Sequence, residues 1–187
     1  MRFVLRLFVV LLIVMLTSCD NAPALNPADY NGLLINIKEF FSVSILLLSV
    51  NSNFGIGQAI ARLYYGHYHI ARLIYNNTKG KDGKNHKKVW DAMCTTIKSY
   101  GEYLKSLRIK YDYGTTNIPT SEIIKDLKYI QDNQNHFNEM IEKLRNTIHE
   151  DSIEDSLFND HMKDIESTYN DLLAKLNDCI TDMTPKK

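Results

Sequence analysis

Apolar residues recur along most of this chain at steps of three and four, the spacing of one face of an α-helix, and no stretch alternates as a half-buried strand would. The clearest run is Ile123, Leu127, Ile130, Gln134, Phe137, Ile141, Leu144 and Ile148, with Thr120 or Ser121 as its cap and Glu122 in its first turn. Phe158, Met162, Ile165, Tyr169, Leu172, Leu176, Cys179 and Met183 repeat the steps, behind a capping box formed by Asp151 and Glu154. Two long amphipathic helices so closely joined are expected to pack antiparallel. Upstream, Asn26-Pro27 opens a first helix whose stretch Phe40 to Val50 is apolar nearly all round, the mark of a central, buried helix. Asn36, Lys38 and Glu39 interrupt it and argue against a membrane span. After Asn51-Ser52-Asn53, a second helix runs to about Tyr75 on a stripe of Ile56, Ile60, Leu63, His67, Ile70 and Ile74, with small residues that admit a close neighbour. Asn76 to His86 reads as a polar loop. A third helix carries Val89/Trp90, Met93, Ile97, Tyr100, Leu104, Leu107 and Tyr111, and Asp112 to Thr120 is the next loop. The expected fold is an all-α bundle of about five helices.

The first residues follow a different plan. Arg2 and Arg6 precede an uncharged apolar run, Leu7 to Leu16, which is too short to span a bilayer comfortably. Leu16-Thr17-Ser18-Cys19 then places a branched apolar residue and two small ones before a cysteine. Positive, apolar and small, in that order, is a secretory signal. The cysteine at the cleavage point marks a lipoprotein, because its thiol accepts diacylglycerol and its freed amine can be acylated. Residues 1–18 are therefore expected as a cleaved signal peptide, residues 19–26 as a short tether lipidated at Cys19, and residues 27–187 as one helical domain. Two or more acyl chains hold such a domain stably at a membrane.

Charge refines this picture. The chain is formally neutral, which argues against nucleic acid as a partner, since that calls for a basic domain. Residues 79–113 nevertheless hold nine Lys/Arg against four Asp/Glu, whereas residues 114–187 hold eight against fifteen. That split gives a polarised surface able to steer a charged partner. Beyond Cys19, the exported part contains Cys94 and Cys179, an even pair that permits one disulfide outside the cytoplasm without showing that the two meet.

Candidate chemistry is sparse. The glycines of Phe54-Gly-Ile-Gly-Gln lack the third glycine and the preceding strand of a dinucleotide site, and Lys79-Gly-Lys-Asp-Gly-Lys lacks the spacing of a phosphate loop. His67 and His69 diverge by about 200° on one helix and cannot share a metal. His67 reads as a hydrogen-bonded core residue, and His136 and His161 as exposed or edge residues. Asp160, Asp164 and Asp171 form a solvated face, and Tyr64, Tyr65, Tyr68 and Tyr75 read as packing. Neither catalysis, a metal nor a cofactor is expected.

The signal ending Leu16-Thr17-Ser18-Cys19, the Asn/Lys/Ile/Tyr-rich body and the bundle close behind the lipid resemble the outer-surface lipoproteins of Borrelia spirochaetes. Size and helix content are most like the factor H-binding lipoproteins of relapsing-fever species. The resemblance implies a lipid-anchored protein of the outer membrane, at the cell surface, that recruits a host serum protein, the complement regulator factor H, for immune evasion. The lipobox is its one specific motif, so no ligand-binding residue is carried over from the family. An envelope lipoprotein with no host ligand and a bundle enclosing a small molecule are the alternatives. Partner contacts are expected on loops, which leave the core undisturbed. One candidate is Tyr111, Asp112, Tyr113 and Ile118, whose aromatic and apolar groups supply contact energy. The other is the basic loop with Lys79, Lys81 and Lys84, and the first is preferred.

Overall fold

The computed structural model describes residues 23–50, 52–113, 118–149 and 152–184. The expected signal peptide, Cys19 and Asp151 lie outside these residues. Seven helices are present among them: α1 (Pro27–Ser49), α2 (Asn53–Lys79), α3 (His86–Asp91), α4 (Thr95–Tyr113), α5 (Thr120–Asp132), α6 (Asn135–Thr147) and α7 (Asp155–Met183). The fold is all-α, as the periodicity predicts.

Two of the five expected helices are each split in two. The expected third divides at Ala92-Met93-Cys94, where Met93 N–H turns back to the Trp90 carbonyl at 3.1 Å and closes α3 tightly. The expected fourth divides at Asn133-Gln134. There the Asn133 side chain donates to the Tyr129 carbonyl at 2.8 Å, and this local bond competes with helix continuation. Caps differ too. Asn26 caps α1 by accepting from Asp29 N–H at 2.8 Å. Pro119 precedes α5 and Glu154 precedes α7, neither with a side-chain cap bond, so Thr120 and Ser121 do not cap as expected, and the Asp151 half of the expected box lies outside the described residues.

The helices run up and down. Ser44 Oγ donates to the Ala59 carbonyl at 3.0 Å and Asn77 Nδ2 to Tyr30 Oη at 3.0 Å, so α1 and α2 are antiparallel. α4 returns antiparallel to α2, with Tyr100 beside His67 and Tyr111 against Gly57. α5 and α6 descend together, since Phe137 lies level with His67 and His149 Nε2 donates to the Asn77 carbonyl at 2.8 Å. α7 ascends beside α1 through His161–Asn31, Lys38–Asp164 and Cys179–Leu48.

α2 is the central helix. Eighteen of its 27 residues are buried, against seven of 23 in α1, so the expectation that α1 is the buried centre is corrected. Small residues make the difference: a Cβ on Gly66 would stand 2.3 Å from the Phe41 ring and one on Gly57 2.5 Å from Tyr111. α1 is long and apolar enough to cross a membrane, yet its inner face is built into the bundle.

Candidate functional site

The up-and-down order gives the bundle two unlike ends, separated along α2 by about 37 Å. One end receives residues 23–26, which lead into α1. The other, where α1 turns into α2 and α4 finishes, carries the largest exposed apolar groups.

At that far end Leu46 is 68% exposed, Val50 64% and Phe54 74%. Leu46 and Val50 are one turn apart on α1, and Phe54 opens α2 off the Ile56–Ile60–Leu63 stripe that faces the core. Ser52 fixes the corner by accepting from Gly55 N–H at 3.0 Å. Tyr113, at the end of α4, is 72% exposed and completes the end. It is held rather than loose. Arg108 Nη2 donates to its hydroxyl at 3.0 Å, and the guanidinium lies 5.2 Å from the Tyr65 ring and 5.3 Å from the Tyr113 ring. Asp112 accepts from Arg108 Nε at 2.9 Å and fixes that cation in turn.

Beneath this surface Asp126 is buried and satisfied by three donors: Lys110 at 2.5 Å, Tyr111 at 2.8 Å and Tyr103 at 3.2 Å. Burial, then the Asp126 carboxylate, pushes the Tyr103 hydroxyl up to about 12. The same two causes hold Tyr111 far above the ordinary phenol range. Burial pulls the Lys110 ammonium down, but its bonds to Asp126 and Glu122 outweigh this and raise it. Tyr103, Tyr111 and Lys110 thus stay protonated at neutral pH, and their bonds to Asp126 join α4 to α5.

The structure separates the expected site residues. Of the preferred group, Tyr113 is exposed, whereas Tyr111 turns inward to Asp126, Asp112 is paired with Arg108, and Ile118 packs partly buried on the core. Residues 114–117 of that loop lie outside the described residues. Lys79, Lys81 and Lys84 sit at the opposite end. Nor is the basic segment wholly a loop: α2 continues to Lys79, Asn76 and Asn77 are buried, and Gly80 caps the helix at φ 64°. Cys94 and Cys179 are separate free thiols, Cys94 exposed at the start of α4 and Cys179 buried against the Leu48 carbonyl of α1. The structure does not join the two as the disulfide the sequence permits. Sequence reasoning missed Leu46, Val50 and Phe54. The available signal was Phe54 standing off its helix's apolar stripe.

His67 is a core residue, as expected. Its Nδ1 meets the Leu63 carbonyl at 2.9 Å, Phe41, Tyr100, Phe137 and Tyr169 surround the ring, and burial lowers its pKa to about 4. The aspartates behave as read: Asp160, Asp164 and Asp171 are exposed, Asp164 pairing with Lys38 at 2.6 Å. An open groove between α1 and α7, about 530 Å³, is lined by Ile35, Val43, Lys38, Glu39, Ser42, His161 and Asp164. Among the described residues no three His, Cys, Asp or Glu side chains are grouped to hold a metal. No family model matches the sequence, and comparison with curated proteins and with solved structures returns no match.

Proposed function

We propose that this protein is a lipid-anchored lipoprotein of the outer cell surface that binds a host protein through the end of the bundle farthest from its tether. The resemblance to spirochaetal lipoproteins nominates factor H as the partner. The observation that carries the reading is that Leu46, Val50, Phe54 and Tyr113, each more than 60% exposed, all stand at the same end of the bundle. Exposed large apolar groups cost solubility, and a cluster of them commonly marks an interaction site. Aromatic anchors surrounded by polar groups are the usual energetic centre of protein interfaces. The tether, by contrast, enters at the other end, where Pro23 and Leu25 bond to the α2–α3 region. A molecule held there presents its apolar end outward, which an envelope role with no external ligand does not require.

The test is binding of purified factor H to the protein and to Phe54→Ala/Tyr113→Ala, with folding checked by circular dichroism. The double variant is expected to lose affinity by about 30-fold or more, the size of a hot-spot truncation. Lys79→Ala/Lys84→Ala should bind as the unaltered protein does. Full affinity in the aromatic variant, or no affinity in the unaltered protein, overturns the assignment. Protease accessibility on intact cells separates surface display from an internal envelope role.

A further inference from the structure

The tether does not leave the bundle freely. The Pro23 carbonyl accepts from Asp82 N–H at 3.0 Å, and Leu25 N–H donates to Asn76 Oδ1 at 2.9 Å. The segment leading to Cys19 is thereby stitched to the loop between α2 and α3. Three residues, Asp20 to Ala22, separate Pro23 from Cys19, and the four Cα-to-Cα steps reach at most about 14 Å. Whatever surface holds the acyl chains therefore lies within that distance of the loop.

The loop is itself fixed. Arg72 forms two bonds to Asp82, at 2.6 and 2.7 Å, and Tyr68 donates to the Gly83 carbonyl at 2.8 Å. Its one acid is thus engaged by Arg72, while Lys79 and Lys84 are exposed on either side of it. Among the described residues the other acids of this end are Asp29, at the start of α1 and near enough to Arg72 to act on it, and Glu154 and Asp155 at the start of α7. Lys79 and Lys84 therefore stand beside the point at which the tether is bonded to the bundle.

From this placement we infer that the edge bearing Lys79 and Lys84 docks on anionic phospholipid headgroups of the membrane that holds the anchor, and that the bundle leans toward that edge. The inference rests on the lipid-anchor reading and adds an orientation to it. A lysine near an anionic leaflet gains about fivefold in occupancy, and an attached acyl chain keeps it within range. This placement also gives the lysines a function other than binding the host protein, at the far end from Phe54 and Tyr113.

The test uses the mature acylated protein in vesicles of phosphatidylcholine alone and of phosphatidylcholine with about 30% phosphatidylglycerol. Amine-reactive labelling is followed residue by residue by mass spectrometry, with exposed Lys125 and Lys128 on α5 as references. In the anionic vesicles Lys79 and Lys84 should label about fivefold more slowly, the references unchanged. Salt near 0.5 M, which shortens screening to about 4 Å, should restore the rate. Equal labelling in both vesicles, with an intact mass showing acylation, overturns the docking edge and leaves the anchor standing. An intact mass without acyl chains on Cys19 overturns the anchor and, with it, the tethered geometry.

Discussion

Helices α1 and α2 lie antiparallel against each other, and the more apolar of the two is the more exposed. α1 spends Tyr30, Leu33, Leu34, Ile37, Phe41 and Leu48 on the core and leaves Ile35, Val43, Leu46 and Val50 facing outward. α2 carries four tyrosines, two histidines and two arginines, yet it is surrounded by α1, α4 and α6. Average hydrophobicity reports what a helix can bury. The size pattern decides how many neighbours it can have, since Gly57, Ala59, Ala61, Gly66 and Ala71 let other helices approach closely. Several polar groups on α2 are tolerated because they find a bond, Tyr68 to Gly83, Arg72 to Asp82 and Asn77 to Tyr30, while His67 Nε2 and His69 Nδ1 are buried without one. The contrast also separates stability from function, for α1's outer apolar residues contribute little to the core and are free to serve as contacts.

The strongest way to break this contrast lies within α1 alone. Phe41 is fully buried against Phe137, Tyr169 and His67. Phe41→Ala is expected to cost about 3–5 kcal/mol, as truncation of a core aromatic does. Leu46→Ala should change stability by no more than about 0.5 kcal/mol. Urea melts of the two variants measure both, and comparable losses would show that the outer face of α1 is packed.

Acid sharpens the comparison next, through α2. Neutral imidazole suits the site of His67, and burial lowers its pKa from 6.5 to about 4. As pH falls below 6.5 the unfolded chain takes up a proton that the folded chain refuses until near 4. The folded state therefore loses stability across that window, by up to about 3 kcal/mol from this residue. His69 and His86 are shifted downward by burial as well and add in the same direction. His67→Gln can keep a bond to the Leu63 carbonyl but does not titrate, so its melts should weaken less between pH 6.5 and 4 than those of the unaltered protein. An unchanged slope would place the acid sensitivity elsewhere.

Much of the fold is legible in the sequence, because the information is local. The spacing of apolar residues in α7, the Asn26-Pro27 start and the break after Val50 depend on residues within one or two turns. The divisions at Met93 and Asn133 escape that reading, since the apolar steps Trp90–Met93–Ile97 and Ile130–Gln134–Phe137 continue across both. A side-chain bond and one tight turn redirect the backbone without disturbing the stripe. The candidate site was legible only at Tyr113. That Leu46 and Val50 face outward depends on α7 covering one side of α1 and not the other, which is a property of topology. That Tyr111 turns inward depends on Asp126, fifteen positions away on another helix.

Glycine gives the finest test, because the same substitution is expected to change sign between the two helices. Gly66 of α2 has the Phe41 ring at 2.3 Å from where a Cβ would stand, and Phe41 is itself hemmed in by Phe137 and Tyr169. The ring cannot withdraw, so Gly66→Ala should destabilise by about 1–3 kcal/mol, the cost of overpacking. Gly32 of α1 is also helical but meets nothing within 4 Å. There an added methyl group touches no neighbour and narrows the unfolded ensemble, so Gly32→Ala should stabilise by about 0.5–1 kcal/mol. Thermal melts of the two single variants read the difference directly. Opposite shifts are expected if close approach, rather than helix propensity, explains the glycines of α2; a gain in both would mean that α1 and α2 pack more loosely than their side chains indicate.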